Sequence, residues 1–326
     1  VRISVTRDPA VESVHHVDAV VAGPDGTELI WGDGRRPTVA RSGLKPIQAL
    51  PLVRTGAADR YGLGGDELAL ACASHNAEPA HVATVLAWLD RLGLGPDALE
   101  CGPALPRLDE DLAAHHRAGG GPEAICNNCS GKHAGFLTVA LHLGVDPAGY
   151  IEPDHPVQRL VTEATAELCR VDLAGQIPGR DGCGIPTWSI PLADLAGAMA
   201  RLVRPAALAP SWAEPARRIT GSVLPRPWWI SGRGRHEVAV AELATEPVLL
   251  KAGAEGVFLG ALPQRGLGLA VKAADGASRA AQVGVSAVLA HLGALPAEAV
   301  AQPVHNVVGR VVGSITADGQ DPVAAG

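Results

Sequence analysis

Arg41-Ser42-Gly43-Leu44-Lys45-Pro46-Ile47-Gln48-Ala49-Leu50 is the stretch from which the rest of the chain can be read. Its spacing predicts a helix opening at Leu44, with a serine and a lysine three residues apart on one face. Placed so, the Lys45 amine reaches the Ser42 hydroxyl. The unpaired N–H groups and positive dipole of a helix start favour a developing anion at the serine. A serine hydroxyl attacks only once a base takes its proton, and a neutral lysine can be that base. A serine cap followed by a solvated lysine is the commoner meaning of such a pattern, so the reading depends on what the chain carries further on.

Two later stretches raise it. Ala73-Ser74-His75-Asn76 closes an apolar run, and Leu250-Lys251-Ala252-Gly253-Ala254-Glu255-Gly256 is a strand with a lysine followed by small residues. Alone, the first reads as a turn and the second as a strand end. Together the three give S-x-x-K, S-x-N and K-x-G in chain order. That is the order of the S-x-x-K, S-D-N and K-T-G set of class A β-lactamases and penicillin-binding proteins, and it points to acyl transfer by a serine. A fourth stretch, Cys126-Asn127-Asn128-Cys129-Ser130-Gly131-Lys132-His133, reads as a redox pair or half a zinc site, with Asp181-Gly182-Cys183-Gly184 as a possible complement. No thioredoxin-like βαβ context surrounds it, and Cys72, Cys101 and Cys169 lie in apolar surroundings that read as core.

Composition bounds the rest. The chain has 326 residues, 47% hydrophobic and 19% charged, with a net charge of −7, which argues against a nucleic-acid or anionic-membrane surface. No apolar run is long enough for a membrane span. The first residues lack a basic-then-apolar export pattern, so a cytoplasmic location is expected. Only four of the 27 basic residues are lysine: Lys45, Lys132, Lys251 and Lys272. In so arginine-rich a chain, a remaining lysine suggests a need for an amine that can deprotonate.

Strands are expected at 13–21 and 27–32 around a Pro-Asp-Gly turn, at 67–74, and at 236–243, 248–251, 256–262, 267–271 and 307–312. Helices are expected at 79–92, 132–143, 155–170, 191–203, 211–220 and 277–292. This predicts an α/β (α+β) chain with an antiparallel sheet built from both chain ends and a helical lobe. One catalytic domain over 1–326 is expected, the sheet lobe at about 1–40 and 234–326 and the helical lobe at about 41–233.

The runs RSGLKPIQALPL, CASHNAEPAHV, NNCSGKHAGF, GRDGCGIPT and LLKAGAEGV resemble, in this order and over essentially the full length, the asparaginase II family of Rhizobium-type, class 3 L-asparaginases. The resemblance implies a serine β-lactamase/glutaminase-like fold and hydrolysis of L-asparagine to aspartate and ammonia through a serine acyl-enzyme. It implies two Ser-Lys pairs, Ser42 with Lys45 and Ser74 with Lys251. It implies a zinc ion on Cys129, Lys132 and Cys183; because a lysine binds metal only as a deprotonated amine, the ion is expected to orient the substrate or shape the pocket rather than activate the attacking water. It places Arg41, His133 and Asp181 in the adjoining substrate pocket. By analogy with K-T-G strands, the N–H of Ala254 joins that of Ser42 in stabilising an oxyanion. Cys126 departs from the family pattern, so its C-x-x-C is read as accidental, and Lys272 is assigned to the surface or sheet edge. A homodimer acting on a small molecule is expected. The rivals are a glutaminase or other small-amide hydrolase on the same scaffold, a DD-peptidase or β-lactamase, and a non-catalytic amino-acid-binding relative.

Overall fold

The strand Ala10–Ala22 organises the sheet. Its second half, Val17-Asp18-Ala19-Val20-Val21-Ala22, is almost entirely apolar, as a strand covered on both faces must be. A computed structural model describes residues 1–319 and 321–324. Among them, Ala10–Ala22 pairs antiparallel with Arg2–Arg7, Thr27–Trp31 and Leu267–Ala273. The sheet continues through Val257–Leu262 to Leu249–Gly253 on one side, and through Val311–Asp318 to Gln302–His305 on the other. Both chain ends thus build one antiparallel sheet, and the chain is mixed α/β.

Register sorts the two faces. Val21, Leu269, Gly260 and Leu250 form one cross-strand row, on the side of a core that includes Val283, Val285, Val288 and Leu289 of the helix Ser278–His291. Val20, Ala270, Leu259 and Lys251 form the row on the other face. That face carries the helix Leu192–Val203, which lies so close that a Cβ on Gly268 would stand 2.0 Å from the Ala196 carbonyl oxygen. The glycine is required by this approach.

Two compact units result: 1–43, 189–207 and 239–326 around the sheet, and 44–188 with 208–238, which is helical. The helix Leu192–Val203, expected in the helical lobe, belongs with the sheet because its apolar stripe is spent there. In the helical unit, Ser130–Leu143 packs on Gly65–Ala71, where a Cβ on Gly131 would meet the Leu70 carbonyl at 2.6 Å. It is tied to Pro79–Arg91 by the Trp88 indole N–H donating to Thr138 at 2.9 Å. Pro156–Cys169 and Pro210–Val223 complete the longer helices of that unit.

Three expected strands differ from what forms. Residues 67–74 belong in part to the helix Gly65–Ala71, whose Glu67 carboxylate accepts from the Gly64 N–H at 3.0 Å. The run 236–243 is the helix His236–Leu243. Val307 and Val308 lie in a turn between Gln302–His305 and Val311–Asp318, where the Asn306 side chain accepts from the N–H groups of Val308 and Arg310. Lys272 is not at a sheet edge. It sits in the central strand Leu267–Ala273 and donates to the Glu255 carbonyl at 2.8 Å.

Candidate active site

The boundary between the units falls between Gly43 and Leu44, inside the stretch that opened the sequence reading. Arg41–Leu44 is a 3-10 turn and Lys45–Gln48 a short α-helix, with Pro46 in its first turn, where its missing N–H costs nothing. Arg41 adopts a left-handed φ of 46°, a conformation that a non-glycine residue holds only when its surroundings impose it.

On the sheet side, Ser42 is half-buried and Gly43 is pressed onto the strand Val257–Leu262. A Cβ on Gly43 would stand 3.0 Å from Leu259 Cγ. Leu259 is the register partner of Lys251, so the serine segment and Lys251 occupy the same face of the sheet. Lys251 is 0% exposed and donates to the Ala252 carbonyl at 2.9 Å. Ala254 opens the three-residue turn after Gly253, where Glu255 and Gly256 both have positive φ. A Cβ on Gly253 would lie 2.5 Å from the Ala40 carbonyl oxygen, so the K-A-G-A stretch needs its glycine to lie beside the chain leading into Ser42.

In the helical unit the Lys45 amine, 0% exposed, donates to Ser74 Oγ at 2.9 Å and to the Ala73 carbonyl. The resemblance pairs Ser74 with Lys251; inside this unit the lysine on Ser74 is Lys45. The Ser74 segment is held from several sides. The Ser74 N–H donates to Ile230 O at 2.9 Å, the His75 N–H to Asn128 O at 3.2 Å, and the N–H of Ala77, at a left-handed φ of 58°, to His75 Nδ1 at 3.1 Å. With Nδ1 accepting, His75 Nε2 carries the hydrogen and donates to Ser130 Oγ at 3.0 Å. The His75 ring stacks on His81, which stacks on Trp228. Burial, then the charges of His81 and Lys45, hold His75 neutral well below the usual imidazole range.

The loop before the helix Ser130–Leu143 carries Cys129. Asn127 donates to the carbonyls of Cys101 and Gly102 and accepts from the Cys129 N–H at 2.9 Å, which fixes the position of Cys129. Cys129 is hydrogen-bonded to Cys183, and Lys132 donates to Cys183 Sγ at 3.0 Å. The Asp181 carboxylate lies 4.0 Å from Cys183 and accepts from the Gly182 N–H at 2.7 Å. The bond from Cys183 pulls the Cys129 thiol well down, against burial and with help from Lys45 and Lys132. Burial pushes Lys132 toward losing its proton, but the two sulfurs outweigh it and hold the proton on the amine. Cys101, beside Cys129, is pushed up to about 12, chiefly by burial. Burial and Glu123 raise Cys126.

Among the described residues no group of three or more His, Cys, Asp or Glu side chains is placed to hold a metal; Cys183 has the Lys132 amine as a neighbour. Two buried thiols, one biased toward thiolate, and an amine in contact with the other form a soft, dry donor set. It fits zinc.

His133, 0% exposed, follows Lys132 on the same helix and meets the Tyr150 hydroxyl at 2.7 Å through Nδ1. Tyr150, His75, His81 and Trp228 were not singled out from the sequence. Tyr150 could have been noticed as one of only two tyrosines, since a buried tyrosine needs a partner for its hydroxyl. The stack on His81 leaves no local trace in the chain.

The sheet unit thus holds Ser42 and a buried Lys251, and the helical unit holds Ser74 with a buried Lys45 and the thiols of Cys129 and Cys183 beside Lys132. The L-asparaginase II family model matches residues 3–317, and the chain belongs to that family. It is an asparaginase-type hydrolase. No curated protein matches the sequence closely. Among solved structures, a β-lactamase from Mycobacterium bovis is 18% identical and covers 84% of this chain and 94% of its own, at a TM-score of 0.40. That likeness is too loose to argue from. No helix among the described residues is long and apolar enough to cross a membrane.

Proposed function

We propose that the protein hydrolyses the side-chain amide of L-asparagine to L-aspartate and ammonia through an acyl-enzyme on Ser42. The observation that carries this reading is the buried Lys45–Ser74 hydrogen bond, in a chain of the L-asparaginase II family. Ser42 attacks the carboxamide carbon and Lys45 takes its proton. Ser74, already bonded to Lys45, passes a proton on to the departing ammonia. A water then cleaves the acyl ester by the reverse transfer. The N–H groups of Ser42 and Ala254 stabilise the oxyanion, and Arg41 and Asp181 hold the charged ends of the amino acid. Lys251 supplies a second amine on the sheet face that carries Ser42.

Cys129, Cys183 and Lys132 would hold a zinc ion. When bound, the ion supplies fixed positive charge that orients the substrate. Lys132 then binds as a free amine, so metal uptake releases its proton and weakens as the pH falls.

The test is ammonia release from asparagine and glutamine, measured side by side with and without a chelator. Turnover of asparagine well above glutamine is expected. Preference for glutamine would transfer the assignment to a glutaminase, and no release from either would remove it.

A further inference from the structure

The helical unit contains a buried donor with no acceptor. Tyr150 is fully buried and its loop is clamped: the Gln158 side chain donates to its carbonyl at 2.9 Å, and the Gly149 N–H donates to Glu100 Oε1 at 2.7 Å. The Glu100 N–H donates to the Tyr150 hydroxyl oxygen at 2.8 Å. A backbone N–H can only donate, so that oxygen is an acceptor there, and its own hydrogen is left for His133 Nδ1 at 2.7 Å. Burial keeps the phenol protonated by raising it far above its ordinary range. His133 Nδ1 is then the acceptor, and the ring carries its hydrogen at Nε2. Among the described residues His133 Nε2 has no hydrogen-bond partner, although it is buried. A buried donor left unmade is costly, so a partner is expected to arrive with something that binds. Lys132 precedes His133 on the same helix, and beside that amine the acceptor best suited to the ring is an anion.

We propose that Tyr150 is a positioning residue: held as an acceptor by the Glu100 N–H, it donates to His133 Nδ1 and fixes the tautomer whose Nε2–H binds a carboxylate oxygen of the substrate. This rests on the amide-hydrolase reading above and adds to it the device that sets the histidine. The contact exists equally in the ground state and the transition state. Losing it raises KM and leaves kcat nearly unchanged.

The metal-loaded protein, labelled with ¹⁵N-histidine, tests this by a long-range ¹H–¹⁵N correlation spectrum, with His133→Gln identifying the signal. The expected result is the Nε2–H tautomer, with that proton shifting when L-aspartate is added as the carboxylate probe. Tyr150→Phe should lose the fixed tautomer and raise KM for asparagine about tenfold, with kcat within about twofold, the effect of one charge-assisted hydrogen bond. An Nδ1–H tautomer in the unaltered protein overturns the proposal. So does an Nε2–H proton that L-aspartate leaves unmoved, the outcome if a trapped water is the acceptor. A Tyr150→Phe variant in which kcat and Tm fall while KM holds also overturns it, because Tyr150 would then serve packing alone. If that variant does not fold, the unaltered protein's spectrum decides. The spectrum needs no turnover: the expected tautomer and aspartate shift in a protein that hydrolyses no asparagine would support the histidine assignment and sink the proposed activity.

Discussion

The sheet unit and the helical unit place their lysines by different means. Lys251 is positioned by register: it lies in one row with Val20, Ala270 and Leu259, and strand pairing alone settles which face it occupies. Lys45 and Lys132 are positioned by partners brought from elsewhere in the chain, Ser74 and Ala73 for the first and Cys183 for the second. A strand carries its lysine into a buried layer as part of an apolar pattern, so that lysine stands out as an anomaly in Leu249-Leu250-Lys251. A buried helical lysine has to be satisfied one hydrogen bond at a time. Small changes around Lys45 and Lys132 should therefore act on chemistry more than on stability.

The largest expected effect is on Ser42. Ser42→Ala should reduce ammonia release by ~10³-fold or more, as loss of a nucleophile does. Its circular dichroism should stay native. Turnover near the unaltered level would shift the nucleophile to Ser74, and so to the helical unit. Next comes the thiol pocket. Cys129→Ser and Cys183→Ser should each lose the bound metal, and Cys126→Ser should keep it, as read by elemental analysis of the purified proteins. Metal loss from the Cys126 variant would mean that the wrong cysteine had been chosen.

How far the sequence discloses these regions follows from the same contrast. The hairpin strands Ala10–Ala22 and Thr27–Trp31, the strands from Leu249 to Ala273 and most long helices show in hydrophobic pattern and turn residues, because one physical period governs each. The helix Gly65–Ala71 does not. Its residues Leu68 to Ala71 are all buried, which leaves no polar face to reveal a helical period, and a short apolar run then reads as a strand. His236–Leu243 misleads through Val-Ala-Val-Ala, whose alternation imitates a strand. At the candidate site the motifs disclose the serines, lysines and cysteines. They do not disclose that Lys45 bonds to Ser74, or that Tyr150 meets His133, because both contacts depend on tertiary packing.

The sheet side can be probed through Gly43. In Gly43→Ala the new methyl would meet Leu259, and overpacking of this kind costs about 1–3 kcal/mol, readable as a lower denaturant midpoint. An unchanged midpoint would show that the serine segment is not pressed onto the strand. The smallest effect is expected at Glu78 in the helical unit. Burial alone would raise its pKa, but the Arg233 N–H at 2.7 Å and guanidinium at 2.6 Å pull it below its ordinary 4.5. A folded pKa below the unfolded one stabilises above the unfolded value and is lost as pH falls through the folded value. Glu78→Gln should therefore cost about 1–2 kcal/mol near pH 7, discounted because Arg233 is half exposed, and progressively less below pH ~4.5. Equal losses at pH 7 and pH 3.5 in urea titrations would show that the pairing carries none of it.

The central claim is that Lys45 moves a proton and does not merely place a charge beside Ser74. Comparing kcat/KM for asparagine in Lys45→Arg and Lys45→Ala tests it most directly. Arginine keeps the positive charge and nearly the reach but cannot release its proton at physiological pH. The two variants should be about equally impaired, each by ~10²–10⁴-fold, the usual contribution of a general base. Substantial recovery of rate in Lys45→Arg would contradict the account.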